Sequence, residues 1–298
     1  MLNRLICFLP PKSRGFFGKL FFRSEVFYRK AILIIRARCA KRHILIYSQT
    51  KVGTESLLLS LKKTCPGDWI FKAHYLKDRL EYNPAVFERY FRVGNGGTIG
   101  FIYQNYALHQ YYKSRSSYDG LRILSGVRDP IAKEVAGFFN ELRTETNISL
   151  GELKGRSVDE QTELLLAAFL KRLTVRKDWF LSEMQPFTGI DVYKTTFDKE
   201  KGYQIIEGDH HPPLLVFKLE KLKEIAHDAI GKFLGISNFK PILSNAASQK
   251  WYREIYKRFL ERVAFPRNYL DEVYGSRTAT HFYTDEEISS FRKRWSGG

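Results

Sequence analysis

Cysteine is scarce in this sequence: its 298 residues include Cys7, Cys39 and Cys65 and no other, with no CxxC pair among them. Thiols so few and so far apart build neither a disulfide framework nor a thiolate metal site, and the usage suits a reducing compartment. Long apolar runs are lacking as well. The best, Leu5–Pro10 and Ala31–Ile35, stop at Arg or Lys, well short of the roughly 18 to 20 residues a membrane-spanning helix needs. Leu5–Leu9 is also too short for the apolar stretch of a secretion signal, and Pro10-Pro11-Lys12 stands where small cleavage-site residues belong. Acidic residues are the third shortage: 32 Asp+Glu face 49 Lys+Arg, a formal charge of +17. Internal repeats and low-complexity stretches are missing too. What is present is 44% hydrophobic and 15% aromatic residues, enough to fill a core, which excludes a disordered tail protein.

The positive charge is concentrated. Residues 1–42 carry eleven Lys/Arg and one acid, Glu25, interleaved with Phe16, Phe17, Leu20, Phe21, Phe22, Phe27 and Tyr28. That mixture suits a segment lying on an anionic membrane surface with its aromatics in the interface, and equally a basic helix packed on the following domain. Nucleic acid is not the expected partner, because no helix-turn-helix, zinc finger or RNP-like motif accompanies the charge. The chain divides into this basic aromatic segment, 1–42, and an α/β domain over 43–298. It is expected in the cytoplasm, with the membrane's inner face as the place for the basic segment.

His43–Ser48 is a short apolar run ending in polar residues and reads as a buried parallel strand. A loop follows, then Thr54–Lys63 as a helix with its lysines at the C-terminal end. Trp69–His74 and Leu121–Val127 are further strands, the latter followed by Asp129 as N-cap and Pro130 at the first position of a helix through Phe139. Helical patterning over 145–185, with Val158–Thr174 and Asp178–Met184 clearest, marks an insertion that can wall an acceptor site. Gly202–Glu207 and Pro213–Leu219 return to strand, Glu220–Phe233 is a helix stopped by Gly235, and Gln249–Val263 and Asp285–Trp295 form a helical tail. The alternation predicts a three-layer α/β fold around a mostly parallel sheet.

Two constellations carry chemistry. The loop Lys51-Val52-Gly53-Thr54-Glu55-Ser56 lies between a strand and a helix, where unpaired backbone N–H groups and the helix dipole favour an anion. Lys51 adds a full charge but precedes the glycine, and the first glycine of GxxxxGK[ST] is missing, so this is not a nucleoside-triphosphatase loop. The second is Ser125-Gly126-Val127-Arg128-Asp129-Pro130, with Arg128 at the carboxyl end of a buried strand, where open α/β sheets bind ligands and a guanidinium suits a phosphate monoester. Each alone reads equally well as a solvated surface feature. Together they imply a ligand with two separated acidic groups.

With these residues in hand the sequence resembles the sulfotransferases that use 3′-phosphoadenosine 5′-phosphosulfate (PAPS): Gln49–Ser56, Ile123–Phe139 with Val-Arg-Asp-Pro, and Leu214–Leu222 running on to Phe233-Leu234-Gly235 follow the order of that family's blocks. Ile123–Leu142 and Gln249-Lys250-Trp251-Tyr252 are similar to bacterial proteins called putative capsular polysaccharide synthesis proteins. The resemblance covers residues 43–295 and implies a P-loop-like fold. It implies that Lys51 and the Val52–Ser56 backbone hold the 5′-phosphosulfate, that Arg128 holds the 3′-phosphate, and that the acceptor is a carbohydrate hydroxyl. The family usually has a serine eight residues past this arginine. Here that position is Ala136, with Ser125 and Arg277 as candidate replacements. Glu55, an acid in the anion loop, must point away from the phosphosulfate.

Sulfuryl transfer needs a cation on the leaving oxygen, a role for Lys51, and a base for the attacking hydroxyl. His74 stands where related enzymes carry a His or Glu for this purpose, with a capping role as its alternative and His109 in reserve. Asp209-His210-His211 lacks the spacing of helix-borne metal ligands, so no metal is expected. Glu220 reads as structural, and Trp251 reads as core on the Trp251, Ile255, Phe259 stripe. Two other classes remain open: a P-loop-like nucleotide-binding kinase, and a non-enzymatic membrane-surface protein with a decayed nucleotide site.

Overall fold

A computed structural model describes residues 11–76, 96–113, 120–140, 142, 153, 155–237, 239–242 and 250–297, with side chains from Leu20 onward except those of 21, 22 and 96–99. Leu5–Leu9, parts of the expected insertion over 145–157, and Gln249 lie outside the described residues.

Strand β1, His43–Tyr47, is buried along its whole length. Its residues alternate between two apolar layers. Ile44 and Ile46 pack with Leu57 and Leu61 of helix α2 (Thr54–Thr64) and with the later helix Leu222–Leu234, whereas Leu45 and Tyr47 enter the opposite core. A strand apolar on both faces must sit inside a sheet. β1 accordingly pairs in parallel with β2 (Trp69–Ala73) on one side and β3 (Leu121–Val127) on the other. The five-stranded sheet has the order β2-β1-β3-β5-β4, with β5 (Leu214–Lys218) parallel to β3 and only β4 (Tyr203–Ile206) antiparallel. Because β2 and β3 leave β1 in opposite directions, the carboxyl ends of β1 and β3 flank the crevice where the strand order reverses.

The face bearing Leu45 and Tyr47 is covered by helix α1, Pro11–Cys39, lying across α3, Gly96–Lys113. Val26 and Leu33 of α1 are buried there, and Arg29 lies over the Tyr103 ring at 5.8 Å. Part of the basic segment is thus a packed helix. The sequence reading did not find α3, because Phe101, Tyr103, Tyr106, Tyr111 and Tyr112 are spread around it and leave no stripe at a 3.6-residue period.

A further core away from the sheet joins α4 (Pro130–Asn140) and α5 (Val158–Leu170) to the C-terminal helices through Phe138, Phe139, Phe169, Phe259 and Trp295. Those helices are α7 (Arg253–Arg262), α8 (Arg267–Tyr274), α9 (Arg277–Phe282) and α10 (Asp285–Trp295), with α6 (Leu222–Leu234) behind the sheet. Helix α5 ends at Leu170 rather than at Thr174. Leu173 and Val175 instead reach this core from a non-helical segment, which matches their two-residue spacing. Trp251, expected in the core, is 48% exposed, because α7 begins only at Arg253 and the stripe starts at Ile255.

This core is anchored to the sheet at Asp129, which lies two residues past the end of β3 and is 2% exposed. Its carboxylate accepts from the Ile131 N–H at 3.0 Å, capping α4, from the Tyr274 hydroxyl at 2.7 Å and from the Trp295 indole N–H at 2.8 Å. Lys218, fully buried at the end of β5, makes a second tie, donating to Glu287 at 2.5 Å and to the Lys199 carbonyl at 2.7 Å. Removing the shared acceptor orphans several buried donors at once, each costing about 1–3 kcal/mol. Asp129→Ala is therefore expected to lower the free energy of unfolding in urea by about 3 kcal/mol or more, against roughly 1 kcal/mol for Tyr274→Phe. Equal losses would show that Asp129 is not the common anchor.

Candidate functional site

Ser48 follows the last residue of β1 and is fully buried. Its hydroxyl accepts the Gly126 N–H at 2.6 Å and lies 3.3 Å from the Ser125 hydroxyl; its N–H donates to the Ala73 carbonyl at 3.3 Å. Its carbonyl lies 2.6 Å from His74 Nδ1. One side chain and the two peptide units that flank it thus fasten the carboxyl ends of β1, β2 and β3. The sequence showed Ser48 only as the end of a strand, since its partners come from other strands.

The loop leaving Ser48 reaches α2 through Lys51 and Gly53, both in the left-handed region at φ 65 and φ 77. Among the described residues Lys51 alone holds a positive φ without being glycine, a conformation that costs on the order of 1 kcal/mol. Gly53 is obligatory on two counts. A Cβ there would meet Leu219 Cδ1 at 2.6 Å, and the positive φ strains any other residue. As N-cap, Gly53 gives α2 no side-chain acceptor, so the helix start keeps its donors and its partial positive charge for a ligand. Gly126 lets the loop lie against β3, with the Val52 carbonyl only 3.1 Å from where a Cβ would stand.

Arg128, at the end of β3, donates to the Lys51 carbonyl at 3.0 Å. The two expected cation-bearing junctions are therefore in contact. Glu55 forms an ion pair with Lys72 of β2, so its charge is matched by a neighbour within the site. Ser125 is fully buried against Ser48, beneath the loop, and is not in a position to contact a ligand. The guanidinium of Arg277 lies 4.3 Å from the Tyr193 ring centre, in a cluster with Asp178 and Thr278. Glu220 accepts from the Asp129 N–H at 2.7 Å and the Tyr283 hydroxyl at 3.3 Å, the structural part expected of it, and surrounding protein raises its pKa above the usual carboxylate range.

His74 is where chemistry can centre. The Ser48 carbonyl can only accept, so Nδ1 carries the hydrogen and Nε2 keeps its lone pair. Burial, aided by the charges of Lys72 and Lys51, lowers the imidazole pKa to about 4. The ring is neutral at physiological pH, with a free base nitrogen beside two lysines. His109, by contrast, is 6% exposed and bonded to the Leu76 carbonyl in the core. Trp179, absent from the sequence reading, fixes the other side by donating its indole N–H to the His74 carbonyl at 3.0 Å.

Next to these residues opens a cleft of about 420 Å³ that includes Gln49 and Thr50 of the loop, Tyr75, Trp179 and Lys133. Lys133, also missed by the sequence reading, points from α4 to the Gln49 side-chain oxygen. Its desolvation lowers its pKa. Among the described residues no cluster of His, Cys, Asp and Glu is arranged to hold a metal ion, and no helix is long and apolar enough to cross a membrane.

Residues 155–284 match the family described as "Putative capsular polysaccharide synthesis protein". The matched stretch runs from just before α5 through α9 and does not include Lys51, His74 or Arg128. No curated protein and no solved structure matches the chain.

The His74 environment sets a pH signature. Its proton is bound more weakly in the folded chain, at about 4, than at the ordinary value of 6.5. Between those values protonation favours the unfolded state, so stability present above 6.5 is lost as the pH falls toward 4. His74→Asn keeps a donor for the Ser48 carbonyl without titrating, and its melting temperature should fall less over that window. Parallel melting curves for the two proteins would disprove the assignment.

Proposed function

We propose that this protein is a sulfotransferase that moves a sulfuryl group from PAPS to a hydroxyl of a polysaccharide or glycolipid, within a P-loop-like fold. The observation that carries the reading is the 3.0 Å bond from the Arg128 guanidinium to the Lys51 carbonyl, which joins the β3 junction to the backbone of the Lys51 loop at an uncapped helix start. A nucleotide with acidic groups at both ends suits this arrangement better than a single phosphate does. The residues present fit the donor. Lys51 and the Gly53–Ser56 backbone would take the phosphosulfate, and Arg128 the 3′-phosphate, without the serine that Ala136 replaces. The match to the polysaccharide-synthesis family supports a glycan acceptor.

In this reading His74 Nε2 takes the proton of the acceptor hydroxyl as its oxygen bonds to sulfur. The bond between sulfur and the bridging oxygen of the 5′-phosphate breaks, and Lys51 stabilises the charge growing there. The products are a sulfate ester and adenosine 3′,5′-bisphosphate. A pKa of about 4 describes His74 buried beside the charges of Lys72 and Lys51. A polyanionic donor offsets those charges and raises the imidazole's basicity toward the value a general base needs.

The outer face of α1 supports a peripheral membrane site. Leu20, Phe27, Tyr28 and Ile35 are 55%, 76%, 63% and 64% exposed, with Arg23, Arg36 and Arg38 also exposed around them. An anionic lipid surface matches both the apolar and the charged part of that face. It would hold the enzyme near a lipid-linked glycan.

Titration with adenosine 3′,5′-bisphosphate should show binding by the wild type and a loss of ten-fold or more in Lys51→Ala and Arg128→Ala, about 1.4 kcal/mol each. No binding by the wild type would refute the donor assignment. His74→Ala should retain bisphosphate affinity while turnover falls roughly 100-fold or more. Phe27→Ser combined with Ile35→Ser, which spares the buried Val26 and Leu33, should release the protein from vesicles containing phosphatidylglycerol; undiminished sedimentation with them would remove the membrane role.

A further inference from the structure

The cleft beside His74 has an uneven charge. Lys133, Arg172, Arg176 and Lys177 line it against one carboxylate, Glu134. That carboxylate is engaged within the wall, with Arg176 at 3.0 Å and Lys133 at 3.8 Å. The cations converge from two separate places. Lys133 and Glu134 lie on α4, immediately after the Arg128 junction, whereas Arg172, Arg176 and Lys177 lie on the non-helical segment after α5. The same cleft is lined by Tyr75, 49% exposed, and by Trp179, fixed by its bond to the His74 carbonyl. Tyr75 follows His74 directly in the chain, and Thr50 precedes Lys51, so the cleft adjoins both residues assigned to the chemistry.

A neutral sugar needs hydroxyl partners and an aromatic face, and it gains nothing from an excess of cations. Arginine forks and a lysine match carboxylates on successive sugar rings, while aromatic faces receive the rings' C–H sides. We infer that this cleft is the acceptor site and selects an acidic polysaccharide, one carrying carboxylates, by pairing them with Arg172, Arg176 and Lys177 beside the Tyr75–Trp179 aromatic wall. The inference rests on the sulfotransferase reading for the word acceptor, though not for the binding itself. It also gives the matched region 155–284 a role, since the segment bearing these three cations and Trp179 falls inside it.

The test is direct binding without nucleotide, using oligogalacturonate as the acidic probe and a maltooligosaccharide of equal length as the neutral one. The wild type should bind the acidic probe and not the neutral one at the same concentration, with affinity falling as salt rises. Arg172→Gln combined with Lys177→Gln, both at exposed positions, should weaken oligogalacturonate ten-fold or more and leave the affinity for adenosine 3′,5′-bisphosphate unchanged. Equal binding of both probes, no binding of the acidic one, or wild-type affinity in the double variant overturns the inference. So does a variant that loses bisphosphate instead, because the cleft would then belong to the nucleotide. Failure of wild-type bisphosphate binding with glycan binding intact would count against the sulfotransferase reading alone.

Discussion

The bonding of one buried serine governs where everything reactive in this protein stands. Ser48 satisfies its own hydroxyl with the Gly126 N–H and the Ser125 hydroxyl, and its carbonyl with His74. A buried polar group left unpaired costs as much as a large part of a domain's net stability allows, so these contacts fix three strand ends against one another. The loop carrying Lys51, the junction carrying Arg128 and the histidine are then set at one crevice. Gly53 and Gly126 complete the constraint by letting the loop approach Leu219 and β3 at distances a side chain would forbid.

Around that fixed geometry the electrostatics form one system. Lys51, Lys72 and Arg128 stand at the end of the sheet, and Glu55 is paired to Lys72. The same lysine charges, together with burial, keep His74 neutral. The cleft lined by Lys133, Arg172, Arg176 and Lys177 lies beside this end of the sheet.

The C-terminal helices act on the site without touching it. Asp129 caps α4 and holds Tyr274 and Trp295, so the helix bearing Lys133 is clamped to α8 and α10. Lys218 and Glu287 make a second clamp from β5 to α10. A buried ion pair is weak evidence for stability by itself, because desolvation offsets much of the attraction. Its effect here is positional: it fixes α10 against the end of β5, two residues before Glu220.

The sequence by itself determined the alternation of buried strands and amphipathic helices, the turn around Gly53 that opens α2, and the helix start at Asp129, because each is a local pattern of period, cap or turn. His74 drew notice through the resemblance to related enzymes that carry a His or Glu at that strand end. The sequence did not show α3, whose aromatics surround the helix, nor the exposure of Trp251, which depends on where α7 begins. Only the tertiary structure decided that Ser125 is buried beneath the loop, that Ser48 fastens three strands, that Asp129 holds the C-terminal helices to the end of β3, and that Lys133 meets Gln49. Each of these joins residues about 25 to 166 positions apart. Such contacts leave no periodic trace along the chain, and they exist only once strand order and helix packing have brought the partners together.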